Sequence, residues 1–195
     1  MKHRVWMLLV CSLVMACAAA PRQGVAADST GSGLLARASN RFGLQLLAQL
    51  AAAQPQENVV ISPFSIATAL QMTLNGAAGE TKVEMERTLE LSGMGEVNPR
   101  AAGLRQELTR AEPKIKLTIA NSLWAHQRFP IRKPFLETNR RYFAAQVTAL
   151  DFARPDAVTR INRWVSENTN GLIRQIVTEL DPAEVMLIIN AVYFK

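Results

Sequence analysis

The last ten residues, MLIINAVYFK, limit the possible fold more than any other segment of this 195-residue chain. From Met186 to Phe194 every residue except Asn190 is apolar. A continuous apolar run of this kind is typical of a strand that is covered on both faces and has neighbours on both sides within a sheet. Only Lys195 follows the run, so we expect one edge of this terminal strand to be unpaired and to recruit other chains.

The first sixteen residues have the pattern of an export signal. Lys2 and Arg4 precede twelve largely apolar residues, 5–16. This run is too short for a bilayer-spanning helix, which needs about 20 residues. We therefore assign residues 1–16 to a signal peptide and expect the protein to be exported.

Two interpretations of the next residues stay open. The letters VMAC before and at Cys17 resemble a bacterial lipobox, which would make Cys17 a lipidated membrane anchor. Ordinary cleavage after the alanines that follow would instead release a freely secreted protein. Residues 17–33 are rich in small and polar residues and predict a flexible tether. The remaining cysteine, Cys11, also lies in the leader, so the folded part, residues 34–195, has no disulfide.

The rest of the chain predicts helices first, and then strands interleaved with helices. Ser62 is a suitable N-cap for a helix with Pro63 at its first position. Thr81 and Glu84 have the spacing of a capping box. Helices are expected from Leu34 into the alanines at 51–53, at 63–75, from Thr81 past Leu89, at 98–109 and at 134–144. A last helix is expected from Asp156, whose carboxylate can cap it, to Asn170. Strands are expected at 59–62, 114–125, 145–152 and 186–194. This order predicts an α+β fold.

Catalytic and metal-binding patterns are missing from the sequence. Outside the leader the only histidine is His126, which follows a predicted strand and which we interpret as a turn or surface residue. There is no Gly-x-Ser-x-Gly elbow, and no histidines and carboxylates have metal-ligand spacing. We therefore predict a protein that is not an enzyme and that needs no metal or cofactor.

Basic residues form two groups along the chain, at 100–116 and at 132–141. They would suit a polyanion, but such groups more often form a solvated face, and we expect no nucleic-acid partner.

Three separated stretches resemble the serpin family, in the family's order. They are NVVISPFSIATALQMTLNGAAGETKVEM from Asn58, INRWVSENTNGLIRQIV from Ile161, and LIINAVYFK at the end. The resemblance implies a serpin-like fold with helices packed on part of a central mixed β-sheet. It also implies a one-use inhibitor of serine or cysteine proteases, whose reactive loop is cleaved and then inserts as a new strand in that sheet.

The resemblance also implies roles for particular residues. Ser62, Ser65 and Asn190 resemble the polar cluster beneath the place where the sheet opens, where helix hydroxyls would satisfy the buried amide. The helix that carries Trp164, together with Asn162, Thr169 and Gly171, would lie across the sheet and yield during insertion. The simpler interpretation is that Ser62 is only an N-cap and that Asn190 bonds only to backbone.

The resemblance implies finally that these residues are the N-terminal half of a serpin. The reactive bond, whose residues select the target protease, would then lie outside the chain. The alternative is a non-inhibitory exported lipoprotein or binding module, or an inactive gene fragment.

Overall fold

The computed structural model describes residues 31–110 and 115–195. Within these residues four helices come first, and three strands then alternate with two further helices. They are α1 Gly31–Ala53, α2 Pro63–Leu74, α3 Gly79–Thr88, α4 Val97–Arg110, β1 Leu117–His126, α5 Lys133–Phe143, β2 Gln146–Leu150, α6 Ala157–Asn168 and β3 Met186–Phe194. The predicted α+β class is confirmed. The predicted signal peptide, Cys17 and most of the predicted tether lie outside the described residues.

The first helix begins earlier than the sequence pattern suggests. Helix α1 starts at Gly31, inside the predicted tether, rather than at Leu34. Its first turn is fixed to α4 because the Ser32 hydroxyl donates a hydrogen bond of 2.7 Å to Oε1 of Glu107. Leu35, Ala38 and Phe42 then form the buried stripe expected from an amphipathic helix.

The second helix starts as predicted. The Ser62 side chain accepts a hydrogen bond from the Ser65 N–H, and Pro63 occupies the first helical position, where no N–H is needed. The helix ends at Leu74, and the predicted stop residue Asn75 is its C-cap. Most of its side chains are buried, which agrees with a helix that is apolar nearly all round.

Three local predictions are wrong. Residues 59–62 form no strand, and Val60 is 66% exposed, because this extended segment has no partner strand among the described residues. Helix α3 begins at Gly79 rather than Thr81, and its N-cap Ala78 offers no side-chain bond. Asp156 does occupy the N-cap of α6, but its carboxylate bonds to Arg154 Nε at 2.9 Å instead of capping the helix.

The three strands form one mixed sheet in the order β2–β1–β3. Strand β1 is parallel to β2 and antiparallel to β3. Two hydrophobic clusters lie on its opposite faces. One joins Leu123 and Ile188 to α1, α2, α4 and α5, and the other joins Leu187 and Ile189 to α6. The burial of β1 rises along the strand, as its sequence pattern predicts.

Among the residues that the structure describes, no helix combines the length and apolarity needed to cross a membrane.

Candidate functional site

The outer edge of β3 is open. Lys116 and Lys195 exchange backbone hydrogen bonds of 2.8 and 2.9 Å, and the His126 N–H donates to the Val185 carbonyl at 2.9 Å. Hydrogen-bonded and non-bonded residue pairs alternate in an antiparallel ladder, so the backbone N–H and C=O groups of the odd-numbered residues of β3 bond to β1. The N–H and C=O groups of Ile188, Asn190 and Val192 therefore point outward, and no other described strand pairs with them.

Both faces of this edge strand are nevertheless covered. Leu187, Ile189 and Ala191 pack in the cluster beneath α6, and Ile188 packs in the cluster on the helical side. An edge strand in a soluble protein usually carries charges or prolines that prevent further pairing, and between Met186 and Phe194 β3 has neither. The geometry is therefore suited to accept another strand.

Asn190 lies opposite Asn121 of β1, and the two side chains are joined directly. The Asn190 amide donates a hydrogen bond of 2.7 Å to Oδ1 of Asn121. The pair is a non-bonded position of the ladder, where the Cα atoms are only about 4.5 Å apart. Asn121 in turn donates to the Phe143 carbonyl at 2.8 Å. Each asparagine is 2% exposed, so the bonded groups lie in the protein interior.

The expected hydroxyl partners of Asn190 are not its partners in the structure. Ser62 Oγ donates to Ser65 Oγ at 3.0 Å, and neither serine bonds to Asn190 among the described residues. Oδ1 of Asn190 is buried and has no described partner. The predicted polar cluster is thus two separate pairs, one at the start of α2 and one between β1 and β3.

Trp164 attaches α6 to the sheet. Its indole N–H donates to Oε1 of Gln146 at 2.9 Å, and its ring meets that of Trp124 edge to face with centroids 6.3 Å apart. Trp124 donates in turn to Oγ of Ser122 at 2.9 Å. Both indoles are therefore buried with their polar atoms satisfied, and α6 is held over β1 and β2 by one hydrogen bond and one aromatic contact.

Asn162 fixes the segment that returns from α6 to β3. Its Oδ1 accepts from the N–H groups of Ile176 and Val177 at 2.8 and 3.0 Å, and its amide donates to the Val177 carbonyl at 2.7 Å. The Asn162 side chain thus supplies the hydrogen bonds that a neighbouring strand would otherwise give to Ile176 and Val177.

Thr169 and Gly171 end the helix. The Thr169 hydroxyl donates to the Val165 carbonyl at 2.8 Å and accepts from the Ile173 N–H at 3.1 Å. Gly171 has φ +75° and donates from its N–H to the Ser166 carbonyl at 2.8 Å. A positive φ here favours glycine and turns the chain back toward the sheet.

A buried histidine and a buried glutamate, His126 and Glu184, lie where β1 ends and β3 begins. His126 is the last residue of β1, and Phe129 and Phe152 cover its ring, which leaves it 2% exposed. The prediction of a turn or surface histidine is therefore wrong. Burial, and to a smaller extent the Asp181 carboxylate, raises the pKa of Glu184. No group of three or more metal-ligating side chains occurs in residues 31–110 and 115–195.

Asn121 and Gln146 are the residues that sequence reasoning missed. Asn121 stands in a part of β1 where both faces become apolar, which is the same signal that identified Asn190. Gln146 gave no signal, because its role depends on Trp164, eighteen residues away and on another element.

Comparison with known proteins identifies similar chains. Residues 37–195 match the model of the family described as Serpin (serine protease inhibitor). Leukocyte elastase inhibitor of Sus scrofa is 32% identical over 165 residues, which cover 83% of this chain and 44% of the relative. Iripin-1 of Ixodes ricinus is 35% identical over 178 residues, which cover 88% and 45%.

Similarity extends to solved structures. Ovalbumin from emu, Dromaius novaehollandiae, superimposes with a TM-score of 0.77 at 27% identity, over 83% of this chain and 46% of ovalbumin. In each of these comparisons the chain spans less than half the length of the protein that it matches.

Proposed function

Because the chain belongs to the serpin family, we propose that it forms the N-terminal part of an inhibitor of serine-type proteases that acts once, by adding its cleaved reactive loop to the sheet beside β3. In this proposal the reactive loop and its scissile bond lie in sequence beyond Lys195. The chain itself contributes the receiving edge and the helix that lies over the sheet, and it catalyses no reaction.

The open edge of β3 is the observation that carries the proposal. The outward N–H and C=O groups of Ile188, Asn190 and Val192 offer hydrogen bonds to an added strand, and both faces are already packed. Asn190 supports the same conclusion, because its buried Oδ1 is an acceptor with no described partner. We propose that Asn190 on β3, together with the Ser62–Ser65 pair at the start of α2, marks the place where the sheet opens.

Helix α6 supplies the part that moves. In this proposal α6, which packs on Leu187 and Ile189 of β3 and is attached to the sheet through Trp164, yields or shifts when a strand is added beside β3. Asn162, Thr169 and Gly171 hold the return segment to α6, and Ile173 and Val177 of that segment pack in the same cluster as α6. The helix and its return segment can therefore move together.

The proposed partner is a serine protease. The family description names serine proteases, and the name of one relative states that it inhibits leukocyte elastase. The identity of the protease depends on reactive-loop residues, none of which the proposal assigns to this chain.

The first experiment reads the coding sequence beyond Lys195 and expresses whatever frame continues from it. The purified product is mixed with a panel of serine proteases that includes leukocyte elastase and trypsin. We expect a covalent complex that survives boiling in detergent. Cleavage of the product by every protease without such a complex would overturn inhibition, and so would a stop codon with no in-frame remnant beyond it.

A matched pair of variants tests whether the outer edge of β3 receives the loop. Val192→Pro removes an outward N–H but none of the β1–β3 hydrogen bonds, and proline is tolerated on an edge strand. We expect it to slow complex formation at least about tenfold and to shift the product toward cleaved inhibitor. Val192→Ala keeps the N–H and is the control. Equal complex formation by both folded variants would contradict insertion at this edge.

We also propose that the protein is exported and anchored through a lipid on Cys17. Labelling with an alkyne-tagged fatty acid in a bacterial host tests the anchor. Cys17→Ser is expected to lose the label and to leave the membrane fraction, whereas Cys11→Ser keeps both. An unlabelled wild-type protein found free in the medium would instead establish ordinary secretion.

A further inference from the structure

A small chamber lies where α1, α2, α4, α5 and β1 meet. It has a volume of about 10 Å³, counted as space open to the centre of a water molecule. Apolar side chains form much of its wall. Its polar lining comes from Ser39, Thr68, Gln71, Arg105, Asn121 and Tyr142.

The buried polar residues of the chamber are mostly without partners. Ser39 is 5% exposed, Thr68 6% and Gln71 4%, and none of these side chains bonds to another described residue. Nε of Arg105 is also buried and likewise has no partner in the described part of the chain. Only Asn121 is satisfied, through Asn190 and the Phe143 carbonyl.

Buried polar groups in folded proteins are almost always hydrogen-bonded to protein or to ordered water. Leaving a buried polar group unpaired costs free energy, and here the buried, unpaired Nε of Arg105 lines the same space as the side chains of Ser39, Thr68 and Gln71. A volume of about 10 Å³ matches one water molecule, which needs two to four polar partners. The space is too small for a ligand with more than one non-hydrogen atom.

We propose that this chamber is a binding site for one ordered water molecule. The Arg105 Nε–H donates to the water oxygen, and the water donates to the Gln71 side-chain carbonyl and to a hydroxyl of Thr68 or Ser39. This water joins α2 to α4 beneath β1, and it also joins α1 where Ser39 is the acceptor. It lies beside Asn121, and therefore one side chain away from Asn190 on the open strand.

A crystal structure of the whole 195-residue chain at a resolution better than about 2 Å is the direct test. We expect one density peak within hydrogen-bond distance of Arg105 Nε and of at least one of Gln71, Thr68 and Ser39. An empty chamber, or one closed by direct hydrogen bonds between these side chains, would overturn the proposal.

Thermal melting gives a second test, because the same substitution should change the Tm in opposite directions in a hydrated and in a dry chamber. In a hydrated chamber, Gln71→Met takes a partner from the water, and the Tm falls by about 2–6 °C. In a dry chamber, the same change removes an unpaired amide, and the Tm rises. Gln106→Met, on the exposed face of α4, is the control and leaves the Tm nearly unchanged. If Gln71→Met does not fold, Thr68→Val is measured in the same way, and the wild-type density decides.

Discussion

Asn121 connects two strands and a helix through one side chain. It accepts from Asn190 on β3 and donates to the backbone carbonyl of Phe143 at the end of α5. Asn121→Leu would leave both groups buried and unpaired, so we expect the free energy of unfolding in urea to fall by about 2–4 kcal/mol. The double variant with Asn190→Leu should recover part of this loss, because it also removes the Asn190 amide that would otherwise be buried without a partner.

Asn40→Leu is the control for this pair, because Asn40 is exposed on α1 and has no described hydrogen-bond partner. It should change the free energy of unfolding by less than about 0.5 kcal/mol. A loss equally small for Asn121→Leu would show that the asparagine pair does not stabilise the sheet.

Glu184 makes the stability depend on pH. Its pKa is raised by burial and by Asp181, so between its unfolded and folded pKa values the folded state binds more protons. Stability then falls as pH rises through that window. We expect Glu184→Gln to raise the Tm at pH 7 by about 1–3 °C, and the gain to disappear below about pH 4. Exposed Glu179→Gln is the control, and an equal gain for Glu184→Gln at both pH values would contradict this cause.

Two helical glycines with opposite surroundings test how the elements pack. A methyl group on Gly43 of α1 would overlap the ring of Pro63 at the start of α2, whereas one on Gly103 of α4 would meet nothing within 4 Å. Gly103→Ala should stabilise by about 0.5–1 kcal/mol through helix propensity. Gly43→Ala should destabilise by about 1–3 kcal/mol, because overpacking outweighs propensity. A gain for both, in urea unfolding, would mean that α1 and α2 are not tightly packed.

The elements that could be predicted from the sequence are those whose signals are local. Apolar spacing identifies α1, and the cap at Ser62 with Pro63 identifies the start of α2. Residues 59–62 have strand-like composition but form no strand, since a strand requires a partner that composition cannot supply. The same limit applies to the candidate site: Ser62 and Ser65 are three residues apart, whereas the Asn121–Asn190 bond depends on a register across 69 residues.

At the scale of the whole molecule, the sheet is asymmetric, and hydrogen exchange can detect it. In the second half of β1, the backbone N–H of Leu123 points toward β2 and that of Trp124 points toward β3, so both amide hydrogens should exchange slowly. In β3, the backbone N–H groups of Leu187, Ile189 and Ala191 point toward β1, whereas those of Ile188, Asn190 and Val192 point outward.

We expect the outward amides of the 195-residue chain to exchange at least about tenfold faster than their neighbours when measured by NMR at low protein concentration. Slowing of the outward set alone as concentration rises would show a second copy pairing at this edge, as the unpaired strand predicts. Equally slow exchange of both sets at every concentration would mean that the edge is already covered, and a covered edge has no place for an added strand.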